Sequence, residues 1–268
     1  MGAALAACSA TTPPAPTVEV ELVQQRGDII AERVQLRVTN TSDAAVTVTS
    51  ATLSSPVLHG PGSGSTSRPV TIRPGRTTDL PVPLPPVRCI DAAPDTDAGA
   101  EAELRLDDGR GPREATLPVA DRLGVLARLG AGQCDRAALA AVARISATAV
   151  TPSVDGFAGL VLSIEPAGDA AGSLELTSLR GTPLLRFAAG PEAPLGLFVA
   201  SRDEPSTLTV PVTPIRCDAH AIAEDKVGTR FDLVAVVEGR EIVVPLERSD
   251  AVAAALLDFT AKTCGLTP

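Results

Sequence analysis

The stretch that decides the fold occurs twice, as VPLPPVRC at residues 82–89 and as VPVTPIRC at residues 210–217. A further cysteine follows each copy about 45 residues later, Cys134 after the first and Cys264 after the second. Position, spacing and the Val-Pro…Pro-x-Arg pattern recur together, which indicates a duplicated unit. The chain of 268 residues is therefore predicted to form two domains, each long enough to bury its own core.

The four repeated cysteines predict two disulfide bonds. They lack the C-x-x-C spacing of a zinc site, and four cysteines allow three connectivities. Only the pairs Cys89–Cys134 and Cys217–Cys264 treat the two copies alike, so the repeat selects this pairing. Because disulfides persist in oxidising compartments, we expect a protein that lies outside the cytoplasm.

Composition and charge exclude several classes of function. The net charge is −9 and the basic residues are scattered, whereas a nucleic-acid-binding protein needs a concentrated basic face. Trp and Tyr are absent, so sugars would lack a stacking platform. Met1 is the single methionine, which disfavours copper handling. All five Phe fall in the second half, so the first domain must fill its core with aliphatic residues.

Apolar and polar residues alternate in the first domain, which predicts half-buried antiparallel strands over residues 34–39 and 46–49. Asn40, Thr41 and Ser42 form a polar turn between them. The Gly- and Ser-rich segment 59–67 is predicted as a loop.

Three prolines mark the strand that carries the first copy of the repeat. Pro81, Pro83 and Pro85 occupy alternate positions around Val82 and Leu84. Each lacks the N–H that a ladder hydrogen bond needs. This strand is therefore predicted at a sheet edge, paired on one side only.

The end of the first domain is predicted as a hairpin followed by a helix. Residues 102–119 alternate around an Asp-Asp-Gly turn, which indicates the hairpin. Asp121 can cap a short helix that includes Leu123 and ends in Gly-rich sequence at Cys134. The Ala-rich residues 135–142 then predict a short helical linker.

The second domain repeats this order of elements. We expect strands at 158–164, 173–179 and 208–212, a hairpin at 231–245 and a final helix before Cys264. Ser249 or Asp250 can cap that helix. Its apolar face is predicted to consist of Val252, Leu256 and Phe259.

Short strands with turn signals about every ten residues, and no alternating helices, are typical of β-sandwiches. The order of alternating strand, Asn-x-Ser turn, alternating strand and Pro-Gly turn resembles bacterial immunoglobulin-like modules. The resemblance implies a mainly β protein of two tandem immunoglobulin-like β-sandwich domains, each ending in a short disulfide-tethered helix. The domains are predicted at residues 18–134 and 143–268, joined by a linker at 135–142.

The N-terminal residues Leu5-Ala6-Ala7-Cys8 resemble the lipobox of bacterial lipoproteins. The resemblance implies a signal-peptide remnant over residues 1–8, cleavage before Cys8 and lipidation of its thiol. The Pro- and Thr-rich residues 9–17 would then form a tether. No other segment approaches the roughly 20 apolar residues of a spanning helix, so we expect lipid anchoring at the extracytoplasmic face of the membrane.

Few residues are candidates for catalysis. The chain has two histidines, His59 and His220, and it lacks the G-x-S-x-G sequence of a nucleophilic serine. His220 lies close to Asp218, which makes these two a weak candidate for an ion site. We expect exposed side chains here, with no catalytic site and no cofactor.

Charged residues lie next to the repeated cysteines. Arg88 and Arg216 are expected to form buried or half-buried ion pairs with an acid of the same domain, and partner contacts are the alternative. The loop with Asp91, Asp95 and Asp97 offers oxygen ligands suited to calcium but departs from the EF-hand pattern. A solvated loop without a metal is the preferred interpretation.

Together these observations favour a non-enzymatic, lipid-anchored protein of the bacterial cell envelope. Its sandwich domains would present a surface to an unknown protein or cell-wall partner, and we expect a monomer. The alternative is a carrier or sensor of a small ligand or ion, with a polar site at the interdomain joint. An enzyme of unrecognised class is the third hypothesis.

Overall fold

The structure, a computed structural model, describes residues 18–31, 33–90, 93–94, 99–152, 154–168, 172–218 and 228–266. These residues form a mainly β protein with two compact units, which divide between Gly130 and Ala131. The helices are α1 (Arg26–Ile30), α2 (Val125–Val142) and α3 (Asp250–Thr263). Within the described ranges, no helix is long and apolar enough to cross a membrane.

The strands of the first half of the chain are β1 (Val18–Val23), β2 (Arg33–Asn40), β3 (Val46–Ser54), β4 (Gly62–Ile72), β5 (Thr77–Pro83), β6 (Cys89–Ile90), β7 (Ala93–Pro94), β8 (Ala100–Asp107) and β9 (Pro112–Ala120). Strands β6 and β7 form a short ribbon. The others form one sheet in the order β4-β3-β8-β9-β1-β2-β5.

This sheet folds into the two layers of a sandwich. Strands β4, β3, β8 and β9 form one layer, and β1, β2 and β5 form the other. A short parallel pairing of β1 with β9, at Val20 and Val119, joins the layers. Val34, Leu36 and Val38 of β2 are buried on one face, as the alternating pattern predicted.

Strand β4 occupies a segment that was predicted as a loop. The expected loop at residues 59–67 is wrong, because β4 begins at Gly62 and pairs with β3. Gly62 and Gly64 lie against β5, where a Cβ added to Gly62 would meet the carbonyl oxygen of Pro83. The glycines permit this close approach of two strands, and their low strand propensity hid β4 from the sequence pattern.

Strand β5 lies at a sheet edge, as the prolines predicted. Among the described strands it pairs only with β2, from Thr77 opposite Thr39 to Pro83 opposite Arg33. Pro81 faces Gln35 within this pairing. The missing proline N–H groups therefore cost no hydrogen bond on the open side of the strand.

The second unit contains β10 (Ala143–Val150), β11 (Ala158–Pro166), β12 (Ser173–Arg180), β13 (Leu185–Phe187), β14 (Glu192–Ala200), β15 (Ser206–Pro214), β16 (Asp232–Val237), β17 (Arg240–Pro245) and β18 (Glu247–Arg248). Its layers are β13-β15-β11-β10-β18 and β14-β12-β16-β17. The predicted strands β11, β12 and β15 and the hairpin β16–β17 are confirmed. The pattern did not predict β10, β13, β14 or β18.

The second unit repeats the immunoglobulin-like sandwich of the first with two additional strands, β13 and β18. Strand β10 pairs in parallel with β18 at Ser146 and Glu247, as β1 does with β9. Its core adds aromatic side chains to the aliphatic ones, and the rings of Phe187 and Phe231 lie 5.8 Å apart. Tilted ring pairs at this distance add to the stability from buried apolar area.

Asp121 caps the start of α2, as predicted. Its two carboxylate oxygens accept hydrogen bonds from the backbone N–H groups of Val125 and Leu126, at 2.7 and 2.9 Å. Leu123 precedes the helix and is exposed, so the predicted inclusion of this residue is wrong.

The end of α2 differs from the prediction. The helix continues through the Gly-rich residues 130–132 to Val142, so it does not end at Cys134 and leaves no separate linker at 135–142. Each glycine costs a helix about 1 kcal/mol relative to alanine. Leu139 and Val142 offset this cost because they are buried in the core of the second unit.

Helix α3 has the cap and the buried face that were predicted. Ser249 accepts a hydrogen bond from the N–H of Val252 at 3.2 Å. The buried residues on its apolar face are Val252, Leu256 and Phe259. Cys264 follows the helix and is bonded to Cys217, with 5.1 Å between the Cα atoms. The disulfide ties the end of α3 to the chain that follows β15.

Cys89 and Cys134 are each disulfide-bonded as well. Cys134 is buried within α2 rather than at its end, so the disulfide-tethered helix of the first copy extends beyond its cysteine. The pairing of Cys89 with Cys134 stays a prediction.

Candidate functional site

Several predicted site residues lie outside the described residues, namely Cys8, Asp91, Asp95, Asp97 and His220. The lipid anchor and the weak ion sites at these positions stay predictions. Asp218, beside the gap, is exposed. Across the described ranges, no group of three or more His, Cys, Asp or Glu side chains is placed to hold a metal ion.

The repeated arginines are exposed rather than buried. Arg88 and Arg216 are both exposed residues, so full burial is excluded, and the ion pairs expected of them stay predictions. Arg88 Nε donates to the carbonyl oxygen of Leu58 at 2.9 Å, which ties the chain after β5 to the loop after β3. His59 in that loop is exposed, and its N–H donates to the carbonyl oxygen of Pro86. This contact is structural.

A polar cluster in the first unit surrounds Asp28, a buried residue of α1. One carboxylate oxygen accepts hydrogen bonds from Arg33 Nε and Gln35 Nε2, both at 2.7 Å. The other oxygen accepts from the backbone N–H of Gln25 at 2.9 Å. Every donor is aimed at an ionised carboxylate.

Asp79 of β5 extends this cluster. Arg37 of β2 donates to both of its oxygens, from Nε at 2.8 Å and from Nη2 at 3.0 Å. The Gln25 side chain donates to Asp79 at 3.0 Å and so joins the two carboxylates into one network. Paired, two-point hydrogen bonds of this kind hold a guanidinium in a fixed geometry.

The pKa values of these carboxyl groups follow from the hydrogen bonds. Burial raises the pKa of Asp28, but the hydrogen bonds from Arg33, Gln25 and Gln35 together lower it by more, so the net shift is downward. The hydrogen bond from Arg37 holds the pKa of Asp79 below its ordinary value against the effect of burial. Both groups are ionised at neutral pH and stabilise the fold rather than transfer protons.

A different surface stands out in the second unit, on the outward side of β14, β12, β16 and β17. Phe198, Glu175, Val236 and Glu241 are successive neighbours across these four strands. Each of them has at least one chain neighbour in the core, so all four face outward. Phe198 is 65% exposed. We call the outward side of these strands the Phe198 face.

Most of the charge on the Phe198 face is negative. A second row contains Glu192, Arg180 and Asp232, which are neighbours on β14, β12 and β16. Arg180 Nε donates to Glu192 at 2.8 Å. Within the described part of the chain, the exposed carboxylates of Asp232, Glu175 and Glu241 form no ion pair. The face therefore combines an exposed aromatic ring with an excess of carboxylates.

The corresponding face of the first unit is polar. Thr52, Glu103 and Thr116 form one outward row across β3, β8 and β9. The next row consists of Ser50, Arg105 and Glu114. Ser63 of β4, the strand beside β3, lies opposite Thr52. None of these positions carries a large apolar side chain, so the fold itself does not require Phe198.

The sequence pattern missed the Phe198 face because the alternation of β14 is interrupted. Leu195 and Leu197 are half-buried against the core, and Gly196 between them has a positive φ of 56° at a bulge. A Phe in a mostly apolar run indicates a core residue by default. The alternation of Leu174, Glu175 and Leu176 in β12 was the available signal, since it placed Glu175 outward.

A small cavity lies in the second unit beside the C-terminal half of α2. Its volume is about 50 Å³, and it is lined mainly by apolar residues of α2, β10 and β17, with Arg136, Arg144 and Glu247 at its rim. Ligand pockets usually enclose about 300–1,000 Å³. This cavity is a packing gap rather than a site for a metabolite.

Comparison with solved structures gives remote likenesses to β-sandwich proteins. The chaperone–tip adhesion subunit complex CsuC–CsuE of Acinetobacter baumannii pili is 9% identical, with a TM-score of 0.22, over 81% of this chain and 92% of that chain. The Escherichia coli chaperone DraB is 11% identical, with a TM-score of 0.22, over 88% and 91%.

Red sea bream transglutaminase is 10% identical, with a TM-score of 0.25, over 87% of this chain. The likeness spans 31% of the transglutaminase, less than a third of that enzyme. No protein-family model and no curated protein sequence matches this chain.

Proposed function

We propose that this chain is a non-enzymatic binding protein of the bacterial cell envelope, lipid-anchored at Cys8 on the extracytoplasmic side of the membrane. The observation that carries the binding role is the Phe198 face, an exposed aromatic surface in one copy of a duplicated fold whose other copy lacks it. Exposed apolar surface without a structural purpose marks interaction sites.

The disulfide bonds support the location. Cys217 and Cys264 are bonded to each other, and Cys89 and Cys134 are also oxidised. Bonds of this kind persist in compartments outside the bacterial cytoplasm. The lipobox-like residues that end at Cys8 add the membrane anchor to this proposal.

The state of the carboxyl groups supports a role without catalysis. A general acid or base works best with a pKa near the working pH. The pKa values of three aspartates are instead lowered by hydrogen bonds from arginines. The pairs are Arg33 with Asp28, Arg37 with Asp79 and Arg113 with Asp108. The apolar cavity of about 50 Å³ beside α2 does not supply the polar pocket that a ligand carrier needs.

The anchor is tested on the native gene product by mass spectrometry of its N-terminus. We expect a mature end at Cys8 with two or three acyl chains, since one chain binds a membrane only marginally. The Cys8→Ala protein should lose the lipid mass and leave the membrane fraction. An unmodified thiol at Cys8 behind a retained Met1 would contradict the proposed location.

The binding role is tested by chemical cross-linking in native membranes. We expect the wild-type chain to form a saturable cross-linked complex with one protein or wall component. If wild-type protein forms no saturable complex at any expression level, the binding role is wrong.

A further inference from the structure

We infer that the Phe198 face binds a cationic, extended segment of another protein, with Phe198 as its apolar anchor. This inference rests on the proposed binding function and names the chemistry of the partner. It is carried by the arrangement of one aromatic ring and several carboxylates on the outward side of a single four-stranded sheet.

Phe198 has the position of a binding anchor rather than of a core residue. It lies on β14, at the end of the sheet, where β12 is its single neighbouring strand within the described chain. Val236 and Val243 are half-buried on the same side of the sheet and continue the apolar surface. Aromatic residues at such positions dominate the energies of protein interfaces because they bury a large area with few rotatable bonds.

The charge of the face selects a cationic partner. Glu175 lies directly beside Phe198, and Glu241 lies two strands further on, at about 10 Å from Glu175 for strands spaced about 4.8 Å apart. Alternate residues of an extended segment are about 7 Å apart, and lysine or arginine side chains can span the difference. One segment can therefore contact both carboxylates while its apolar residues cover Phe198.

The same features disfavour a second copy of this chain as the occupant. A two-fold interface would bring two copies of the same acidic face together, and like charges repel. Pairing of β14 with another β14 is also obstructed. Pro194 has no N–H, Gly196 lies at a bulge, and the N–H of Ala200 already donates to Asp203 at 2.7 Å.

The first test measures binding of synthetic peptides to the full-length chain by fluorescence anisotropy. The probe is a short labelled peptide in which lysine alternates with leucine, and the charge-reversed probe has glutamate in place of lysine. We expect saturable binding of the lysine peptide alone, weakening as salt is added because exposed charge contacts are screened. Equal binding of both peptides, or of neither, overturns the inference.

Substitutions on the face then locate the site. Phe198→Ser should weaken binding of the lysine peptide by about thirtyfold, as expected for loss of a central aromatic anchor. The double variant Glu175→Lys with Glu241→Lys should weaken it by about tenfold or more. Because all three side chains are at the surface, thermal unfolding should match the wild type and show that the fold is intact.

The matched control changes the same charge on the corresponding face of the first unit. Glu101→Lys with Glu103→Lys alters two outward glutamates of β8 and leaves the Phe198 face untouched. We expect less than a twofold change in peptide affinity for this control. If the control weakens binding as much as the Glu175/Glu241 variant, the peptide responds to net charge and the inference is wrong.

Cross-linking in native membranes separates this inference from the proposed function. If the wild-type chain and the Phe198→Ser variant capture the same partner equally, the binding role stands and the Phe198 face is not its site. If Phe198→Ser instead abolishes a dimer seen by sedimentation of the wild-type chain, the occupant is a second copy, and the cationic partner is wrong. Loss of the captured partner in both face variants, with retention in the control, supports the inference.

Discussion

At the scale of single residues, three short hydrogen bonds of the first unit converge on Asp28. This side chain is buried, yet three donors surround its carboxylate at 2.7–2.9 Å. A buried charge is tolerated when hydrogen bonds from a cation and from the backbone replace its hydration. Asp28 therefore stabilises α1 and β2 as a pair.

Replacement of Asp28 tests this assignment. Asp28→Asn removes the charge that Arg33 and Gln35 address, and we expect the first unit to lose about 2 kcal/mol of unfolding free energy. Urea unfolding followed by hydrogen-exchange mass spectrometry reads peptides of this unit separately. The control Asp43→Asn makes the same change in an exposed turn and should stay within about 0.5 kcal/mol of wild type. Equal effects of the two variants would contradict the assignment.

The lowered pKa values of Asp28 and Asp79 predict a pH dependence. Because the folded-state pKa values lie below the unfolded value of about 3.9, the two carboxylates stabilise the folded unit above that pH. The stabilisation is lost as pH falls through the folded-state values. We expect the unfolding free energy of the first unit to fall between pH of about 5 and about 3, and to fall less in the Asp28→Asn, Asp79→Asn double variant. Identical pH slopes in the two proteins would contradict this explanation.

At the scale of elements, the first sandwich is completed where β4 meets β5. Both strands are ends of the same sheet, and Gly62 and Gly64 let them approach over the carbonyl groups of Pro83 and Pro81. The prolines of β5 and the glycines of β4 thus contact each other directly. Neither strand offers a regular open edge to another chain.

A methyl group at this contact should be costly. Gly62→Ala places a Cβ against the Pro83 carbonyl oxygen, and we expect a loss of about 2 kcal/mol from forced backbone movement. Gly60→Ala is the matched control, because its added Cβ meets no atom within 4 Å. Thermal and urea unfolding of both variants would measure the difference. A Gly62→Ala protein as stable as Gly60→Ala would show that the strands do not meet as described.

At the scale of the whole molecule, duplication has preserved the topology while the surfaces and cores diverged. Both units contain one short parallel pairing: β1 with β9 joins the layers of the first unit, and β10 with β18 lies within one layer of the second. The second core contains phenylalanine and the first does not.

The Cys217–Cys264 disulfide should stabilise the unit that contains both of its cysteines. The Cys217→Ala, Cys264→Ala variant opens a loop with a sequence separation of 47 and should lose about 4 kcal/mol, seen in the second unit by hydrogen exchange. Peptides of the first unit should exchange as in wild type. Non-reducing peptide mapping of the wild-type protein should recover Cys217 with Cys264 and Cys89 with Cys134. A peptide that links Cys8 to either of the latter would contradict the symmetric pairing.

Much of the fold was determined by local sequence alone. The period-two alternation predicted β2, β3, β8 and β16, because one face of each strand must be apolar to be buried. The prolines predicted the edge position of β5, since each lacks the N–H that a second neighbouring strand would require. The cysteine repeat predicted the duplication, and Cys217 is bonded to Cys264 as the repeat requires. Such signals need no knowledge of distant neighbours.

The remaining features were decided by tertiary structure, because they depend on residues far away in the chain. The sequence around Gly62 predicts a loop, and only the contact with β5 shows why a glycine is needed in a strand here. The Gly-rich centre of α2 reads as a helix end, yet the helix continues because Leu139 and Val142 are buried beyond it. Phe198 reads as a core residue, and only the register of β14 against β12 places it outward beside Glu175. Local preference differs by about 1 kcal/mol per residue between such alternatives, and burial of a large side chain outweighs it.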